Sequence, residues 1–208
     1  KTEDIRMRFL LISAVCLCVC NAKPQNNAAK EVDGEYVGIN GDIDGEPDYE
    51  MSPLNAIVDP GRCWPEGKIY YTINQEYFTE EEVELIHLGI EDLVESTKVD
   101  NEKCIDILPR DQESDHVELW DSGSCSSAVG KSGGRQMLSL TSTCVQRHGT
   151  IMHEFLHAFG FYHEQSRSDR DEWIIVNYDN IEEGKEHNFR KYDRSEERRV
   201  GKECRSRW

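Results

Sequence analysis

The residues best suited to chemistry lie between positions 153 and 163, where the sequence reads His-Glu-Phe-Leu-His-Ala-Phe-Gly-Phe-Tyr-His. On a helix, His153 and His157 lie one turn apart on the same face, so both imidazoles can bind one ion. Gly160 lets the chain leave the helix through a backbone conformation that other residues resist, which brings back His163 as a third ligand. Three neutral imidazoles suit Zn²⁺ better than Ca²⁺ and leave a fourth position open, as in a catalytic zinc site. The spacing therefore predicts a site for one zinc ion.

Glu154 follows the first of these histidines and can contact a water on the ion without coordinating the ion itself. The alternative is that the histidines are ordinary core or surface residues of an amphipathic helix. The addition of Gly160 and His163 to a His-Glu-x-x-His pattern lowers its chance frequency to the order of one chain in 10⁵. This rarity favours the metal site.

Several strands and one further helix are available to position this motif. Thr79 and Glu82 form a capping box, and apolar residues at helical spacing continue from there to about Lys98. Strands are predicted where β-branched and aromatic residues cluster between turns, over residues 69–73, 105–108, 117–120 and 136–140. The order of sheet followed by helix indicates an α+β fold.

The composition excludes some classes of partner. The 208-residue chain carries 24 Lys and Arg against 41 Asp and Glu, which gives a formal charge of −17. A surface this acidic repels phosphate, so we expect no nucleic-acid partner. The longest apolar run, over residues 9–20, is too short to span a bilayer comfortably, so we expect no membrane partner.

The two ends of the chain differ in composition from its middle. Residues 7–22 have a basic start, an apolar stretch and a small residue at the end, as in a signal peptide, so we expect a secreted, extracellular protein. Residues 1–6 are interpreted as translated leader sequence. Residues 194–208 hold six of the 24 basic residues and match a translated sequencing adapter; an arginine-rich interaction tail is the alternative. Residues 23–54 are acidic and cannot fold alone, which leaves residues 55–193 as the domain, with 13 basic and 28 acidic residues.

The segment HEFLHAFGFYHEQSRSDRD, from His153 to Asp171, resembles the signature of the astacin family of metzincin zinc endopeptidases. The resemblance extends from about Asn55 to Ile181 and includes Asn-Ala-Ile-Val at 55–58 and the block at 125–140. Glu164, directly after the third histidine, favours astacins over other metzincins. The resemblance implies a twisted mixed β-sheet with two long helices, the second of which carries the zinc motif, and a lower subdomain largely missing from this chain.

The same resemblance implies a role for each residue of the motif. His153, His157 and His163 would bind one Zn²⁺ ion. Glu154 would take a proton from the zinc-bound water as that water attacks the scissile carbonyl, and would pass it to the leaving amine. An extended protein or peptide substrate would pair with an edge strand made of Gln136, Met137, Leu138, Ser139 and Leu140.

A zymogen is also implied. An activating protease would cut before Asn55, and Glu164 would then bind the new N-terminal ammonium. Astacin propeptides commonly block the zinc with an aspartate in a Phe-x-Gly-Asp motif, and Ile39-Asn40-Gly41-Asp42 is the nearest match. Asp42 is therefore the candidate zinc-blocking ligand of an acidic propeptide at 23–54. A solvated acidic linker is the alternative interpretation.

The domain holds four cysteines, an even number for a secreted chain. The resemblance implies a disulfide between Cys125 and Cys144 and another between Cys104 and a cysteine far downstream, which we do not find, since we assign Cys204 to the adapter. Cys63 is extra relative to the family pattern, and whether it pairs with Cys104 stays open. The Met-turn and the tyrosine that follows it in astacins are missing, so we expect this chain to be inactive as written, a truncated form of an active peptidase. A secreted zinc- or peptide-binding module and an acidic ion-binding protein are the alternatives.

Overall fold

A single mixed β-sheet organises the structure, a computed structural model that describes residues 42–44, 56–57 and 59–191. The strands are β1 (Ile43–Asp44), β2 (Lys68–Ile73), β3 (Asp106–Pro109), β4 (His116–Trp120), β5 (Ser126–Ala128) and β6 (Arg135–Ser139). Their order across the sheet is β1-β5-β6-β4-β2-β3. All neighbours pair in parallel except β5 and β6, which are antiparallel. The predicted signal peptide, leader and adapter lie outside the described residues.

The four strands predicted from the sequence are confirmed to within one residue at each end. The prediction that residues 136–140 form an edge strand is wrong: β6 lies between β4 and β5 and is paired on both sides. Strand β5 was not predicted, because its three residues, Ser-Ser-Ala, lack the β-branched and aromatic side chains that mark a strand. β5 pairs with β6 at Leu138 and Ser139, so these two leave no free edge among the five residues assigned to the substrate, which are Gln136, Met137, Leu138, Ser139 and Leu140.

Within residues 59–191, three α-helices accompany the sheet: α1 (Glu80–Ser96), α2 (Ser142–Val145) and α3 (His148–Phe159). The capping box is confirmed, since the Thr79 amide donates to the Glu82 carboxylate over 2.9 Å and the Glu82 amide donates to the Thr79 hydroxyl over 3.2 Å. Among the described residues, every helix is too short or too polar to be a candidate membrane span.

The zinc motif is on α3, which is fixed by close contacts with α1 and with the sheet. At Gly89 of α1, an added Cβ would lie 2.9 Å from Cγ2 of Ile151 on α3, so only a glycine lets the helices approach this closely. Phe155, also on α3, is completely buried and meets the Tyr71 ring of β2 edge-on. The remaining large, fully buried side chains include Ile69, Ile86, Leu93, Leu119, Leu138 and Leu140. The core therefore holds α3 in one place and orientation.

Candidate metal centre

The end of α3 brings the third histidine back towards the first two. Helix α3 stops at Phe159, and Gly160 follows with φ 108°, in the left-handed region that favours glycine. The amide of Gly160 donates to the His157 carbonyl over 2.7 Å, which satisfies one of the last carbonyls of the helix. A Cβ at this position would lie 2.4 Å from Cγ2 of Ile57, so the close approach of the N-terminal segment also requires glycine. The predicted turn at Gly160, which leads to His163, is confirmed.

The three imidazoles meet at one point. Nε2 of His153 lies 2.9 Å from Nε2 of His157 and 3.2 Å from Nε2 of His163. Oδ2 of Asp42 completes the group, 3.2 Å from Nε2 of His153 and 3.3 Å from Nε2 of His163. Four ligands at tetrahedral positions about 2.0–2.1 Å from a zinc ion are separated by about 3.3 Å. The spacing of the four donor atoms, all within 4.8 Å of one another, fits one zinc ion.

The protonation of His157 is set by a backbone carbonyl. Its Nδ1 lies 2.6 Å from the carbonyl oxygen of Phe161, which can only accept a hydrogen bond. Nδ1 therefore carries the proton, and Nε2 turns a lone pair towards the cluster. Burial lowers the pKa of His157 to about 4, and the two neighbouring histidines contribute to the shift. A neutral imidazole is the form that binds a metal.

Glu154 is almost fully buried, at 1% exposure, and its Oε2 has no hydrogen-bond partner among the described residues. Burial, together with the carboxylates of Asp42 and Asp44, raises the pKa of Glu154 to about 8. A buried polar atom without a partner costs about 1–3 kcal/mol. Buried titratable groups that lower stability in this way are common in active sites, so Glu154 is a candidate catalytic residue.

Asp42 is held between the imidazoles as an anion. Burial acts to raise the pKa of Asp42, but hydrogen bonds with His153 and His163 hold it well below its usual range. Its Oδ1 has no hydrogen-bond partner in the part of the chain that the structure describes. The site therefore combines three nitrogen donors and one carboxylate oxygen, a donor set that suits zinc.

A cavity of about 350 Å³ opens beside this cluster. Asp42, His153 and Glu154 line it, together with the disulfide between Cys125 and Cys144. A protein side chain fits in a space of this size.

The thiol of Cys63 is free, so the possible disulfide between Cys63 and Cys104 is not formed.

Of the two residues assigned to the N-terminal ammonium, Asn55 and Glu164, the structure describes only Glu164. Asn55 lies outside the described residues. The Glu164 side chain is 51% exposed and accepts a hydrogen bond from Nη1 of Arg167 over 3.1 Å. Ala56, by contrast, is buried and forms an antiparallel bridge with Phe161, directly after the turn at Gly160.

Two contacts that support the site were not predicted. The indole nitrogen of Trp64 donates to the Ala158 carbonyl over 2.8 Å, in the last turn of α3. The second contact is the bond from His157 to the Phe161 carbonyl. The first contact could have been anticipated in part, because a buried tryptophan needs an acceptor for its N–H. The second could not, because every residue has a backbone carbonyl and the sequence does not indicate which one is used.

Comparison with known proteins places the chain in a family. A family model described as "Astacin", a peptidase family, matches residues 56–204. This range includes part of the segment 194–208 that we assign to adapter sequence, an assignment that stays a prediction. Zinc metalloproteinase nas-15 of Caenorhabditis elegans is 40% identical over 139 residues, which cover 66% of this chain and 23% of that protein. Astacin-like metalloprotease toxin 5 of Loxosceles gaucho is 40% identical over 149 residues, which cover 71% of this chain and 75% of the toxin.

A solved structure agrees with this placement. High choriolytic enzyme 1, a hatching enzyme zinc-protease from Oryzias latipes, superposes with a TM-score of 0.53 at 30% identity, over 70% of this chain and 64% of that one. The predicted α+β fold, with a mixed sheet and a zinc motif on the second long helix, is confirmed. The chain spans about a quarter of the length of nas-15. It belongs to the astacin family of zinc metallopeptidases.

Proposed function

We propose that this chain is part of a secreted zinc endopeptidase made as a zymogen, in which Asp42 is the fourth zinc ligand before activation. The observation that carries the proposal is the convergence of Asp42 with three histidines. The carboxylate oxygen lies 3.2 and 3.3 Å from Nε2 of His153 and His163. A chance contact with a solvated acidic linker gives no reason for a carboxylate to fill the position that a catalytic site leaves for water.

Peptide hydrolysis requires zinc binding and proton transfer, and different residues of the motif carry out each. His153, His157 and His163 hold the zinc, which when bound lowers the pKa of a coordinated water and polarises the scissile carbonyl. Glu154 accepts a proton from the attacking water at a carboxylate oxygen and returns it to the amide nitrogen of the leaving group. Burial of Glu154 raises its pKa, which makes its ionised carboxylate a stronger base towards the proton of the attacking water.

Strand β5 is the better candidate for substrate recognition, in place of β6. The amide of Ser127 on β5 donates to the Asp42 carbonyl over 2.8 Å, so an extended segment already pairs with this strand. An extended protein or peptide substrate would use the same backbone groups once residues 42–44 leave. The neighbouring cavity, beside Glu154, would take a substrate side chain.

Residues 42–44, which we call the inhibitory segment, are held in place by three kinds of contact. Its backbone pairs with β5, with Ile43 opposite Ser127. The side chain of Ile43 is buried in a small apolar cluster with Val129 and Tyr162. The carboxylate of Asp44 accepts a hydrogen bond from the Ser126 hydroxyl over 3.2 Å. These contacts hold Asp42 against the histidines without a covalent bond, as a removable inhibitor requires.

Activation would begin when a protease cuts before Asn55. The new ammonium would replace Arg167 as the partner of Glu164, and the pair would be stable only if both charges lose their water together. Ala56 and Ile57 are already docked next to the turn at Gly160, which supports a position for the new terminus near this region.

The experiment uses the complete coding sequence, amplified past the codon for Asp193, and compares the protein before and after cleavage at Asn55. We expect no hydrolysis of a quenched fluorescent peptide by the uncut protein and rapid hydrolysis after the cut. Glu154→Gln should keep the zinc and lower the rate at least about 10²- to 10⁴-fold. Asp42→Ala should make the uncut protein active, whereas Asp44→Asn, two residues away, should leave it inactive.

Each part of the proposal can fail separately. Zinc binding without hydrolysis in the cut protein would support a secreted binding module instead. Equal activity before and after the cut would show that Asp42 does not inhibit. Absence of the protein from the culture medium would contradict secretion.

A further inference from the structure

We propose that Arg170 is a positioning residue for the third zinc ligand, His163. This inference rests on the proposed zinc function of the histidines. Arg170 is 5% exposed and is the one buried Lys or Arg between residues 59 and 191. Burial of a guanidinium costs free energy unless its N–H groups have hydrogen-bond acceptors. The acceptors of Arg170 therefore indicate its structural role.

The guanidinium of Arg170 connects parts of the chain that are distant in sequence. Nη1 donates to the Gln165 carbonyl over 2.6 Å and also to the Phe189 carbonyl. Nη2 donates to the Tyr178 hydroxyl over 3.1 Å, and Nε donates to the Asp171 carboxylate over 3.0 Å. Arg170 thus binds four acceptors in the segment that follows the zinc motif.

One of these acceptors belongs to the residue two positions after the third histidine. His163 precedes a short 3₁₀ turn, Glu164–Ser166, in which the Ser166 amide donates to the His163 carbonyl over 3.1 Å. The Gln165 carbonyl, in the middle of this turn, is the one that Arg170 binds. His163 has no helix of its own to hold it, because α3 ends at Phe159. Its position therefore depends on the turn, and the turn is anchored by Arg170.

The shape of the guanidinium matters more here than its charge. Three of its four acceptors are neutral oxygens, and the fourth, the carboxylate of Asp171, is 57% exposed. A planar fork with donors in fixed directions can reach carbonyls on opposite sides, whereas an ammonium on a flexible stem cannot. Arg170→Lys therefore keeps the charge and removes the geometry.

The test measures zinc affinity of the 208-residue chain by competition with a chelator. Arg170→Lys should weaken zinc binding about 10- to 100-fold, the usual effect of removing a group that orients a metal ligand. Arg135→Lys is the matched control, because that arginine is 61% exposed and makes a single ion pair with Glu118; its zinc affinity should equal that of the wild type.

A second comparison separates positioning from general destabilisation. In a His163→Ala background, Arg170→Lys should change zinc affinity by less than about twofold, because the ligand it positions is gone. Equal losses in both backgrounds would overturn the proposal, as would an unchanged affinity in folded Arg170→Lys. Failure of the wild type to bind zinc would instead refute the proposed function.

If Arg170→Lys does not fold, the zinc affinity of Tyr178→Phe tests the proposal instead. This variant removes one acceptor of the guanidinium from a side chain that is 52% exposed. We expect zinc affinity to fall by about tenfold, at the lower end of the range for such supporting groups. A Tyr178→Phe protein that binds zinc as tightly as the wild type would overturn the proposal.

Discussion

Replacement of Gly160 by alanine tests how the chain turns from α3 towards His163. The added methyl group meets two separate obstacles. The backbone at Gly160 has φ 108°, where residues with a Cβ are strained. The Cβ would also lie 2.4 Å from Cγ2 of Ile57, about 1 Å inside normal contact.

Each obstacle has a magnitude. A left-handed conformation costs a non-glycine residue about 1–2 kcal/mol. Overpacking by one methyl group in a tight interior costs about 1–3 kcal/mol more. Ile57 is 1% exposed, so it cannot swing into solvent to relieve the overlap. We therefore expect Gly160→Ala to lower the free energy of unfolding by about 2–5 kcal/mol.

Gly184→Ala is the control that separates the two contributions. Gly184 has φ +84° but no atom of the described residues within 4 Å of an added Cβ, so it carries the backbone cost alone. Urea unfolding, followed by tryptophan fluorescence, gives the free energy of each variant. Gly160→Ala should be less stable than Gly184→Ala by about 1–3 kcal/mol. Equal stabilities would refute the inferred contact between Ile57 and the turn.

Three further predictions concern the packing around the site and the free thiol. Trp64→Phe removes the donor to the buried Ala158 carbonyl and should lower the free energy of unfolding by about 1–3 kcal/mol in urea; an unchanged value would show that this bond is not formed in solution. Gly89→Ala should destabilise the protein despite the better helix propensity of alanine, because three atoms of Ile151 lie within 3.0 Å of the added Cβ; a gain in stability on thermal unfolding would contradict the close helix contact. Burial and a nearby carboxylate raise the pKa of the Cys63 thiol, so its thiolate is scarce at neutral pH and iodoacetamide should modify it more slowly than a cysteine peptide. The rate should still rise with pH after the rate of the peptide has levelled off. Equal rates near neutral pH, measured by peptide mass mapping, would refute this.

Local features of the structure could be predicted from the sequence. The capping box at Thr79 depends on residues three positions apart, and the zinc motif depends on one helical turn and a glycine. In each case the atoms that interact are neighbours along the chain, so spacing alone determines whether they can meet. The positions of His153, His157 and Gly160 are of this kind.

Features that depend on distant pairing could not be predicted in the same way. The place of β6 inside the sheet depends on β5, whose three small residues have no strand pattern. The approach of Asp42 to His153 joins residues 111 positions apart and depends on the pairing of β1 with β5. Sequence resemblance suggested Asp42 as a ligand, but no periodicity or composition indicates which strand it pairs with.

The most direct test of the account is the zinc content of the purified chain. After dialysis against zinc and then against metal-free buffer, we expect one zinc per chain in the wild type and in Glu154→Gln. His157→Ala should lose the metal, because it removes the most deeply buried of the imidazoles that converge on the site. A wild-type chain without zinc, or zinc retained in full by His157→Ala, would contradict the assignment of this cluster as a zinc site.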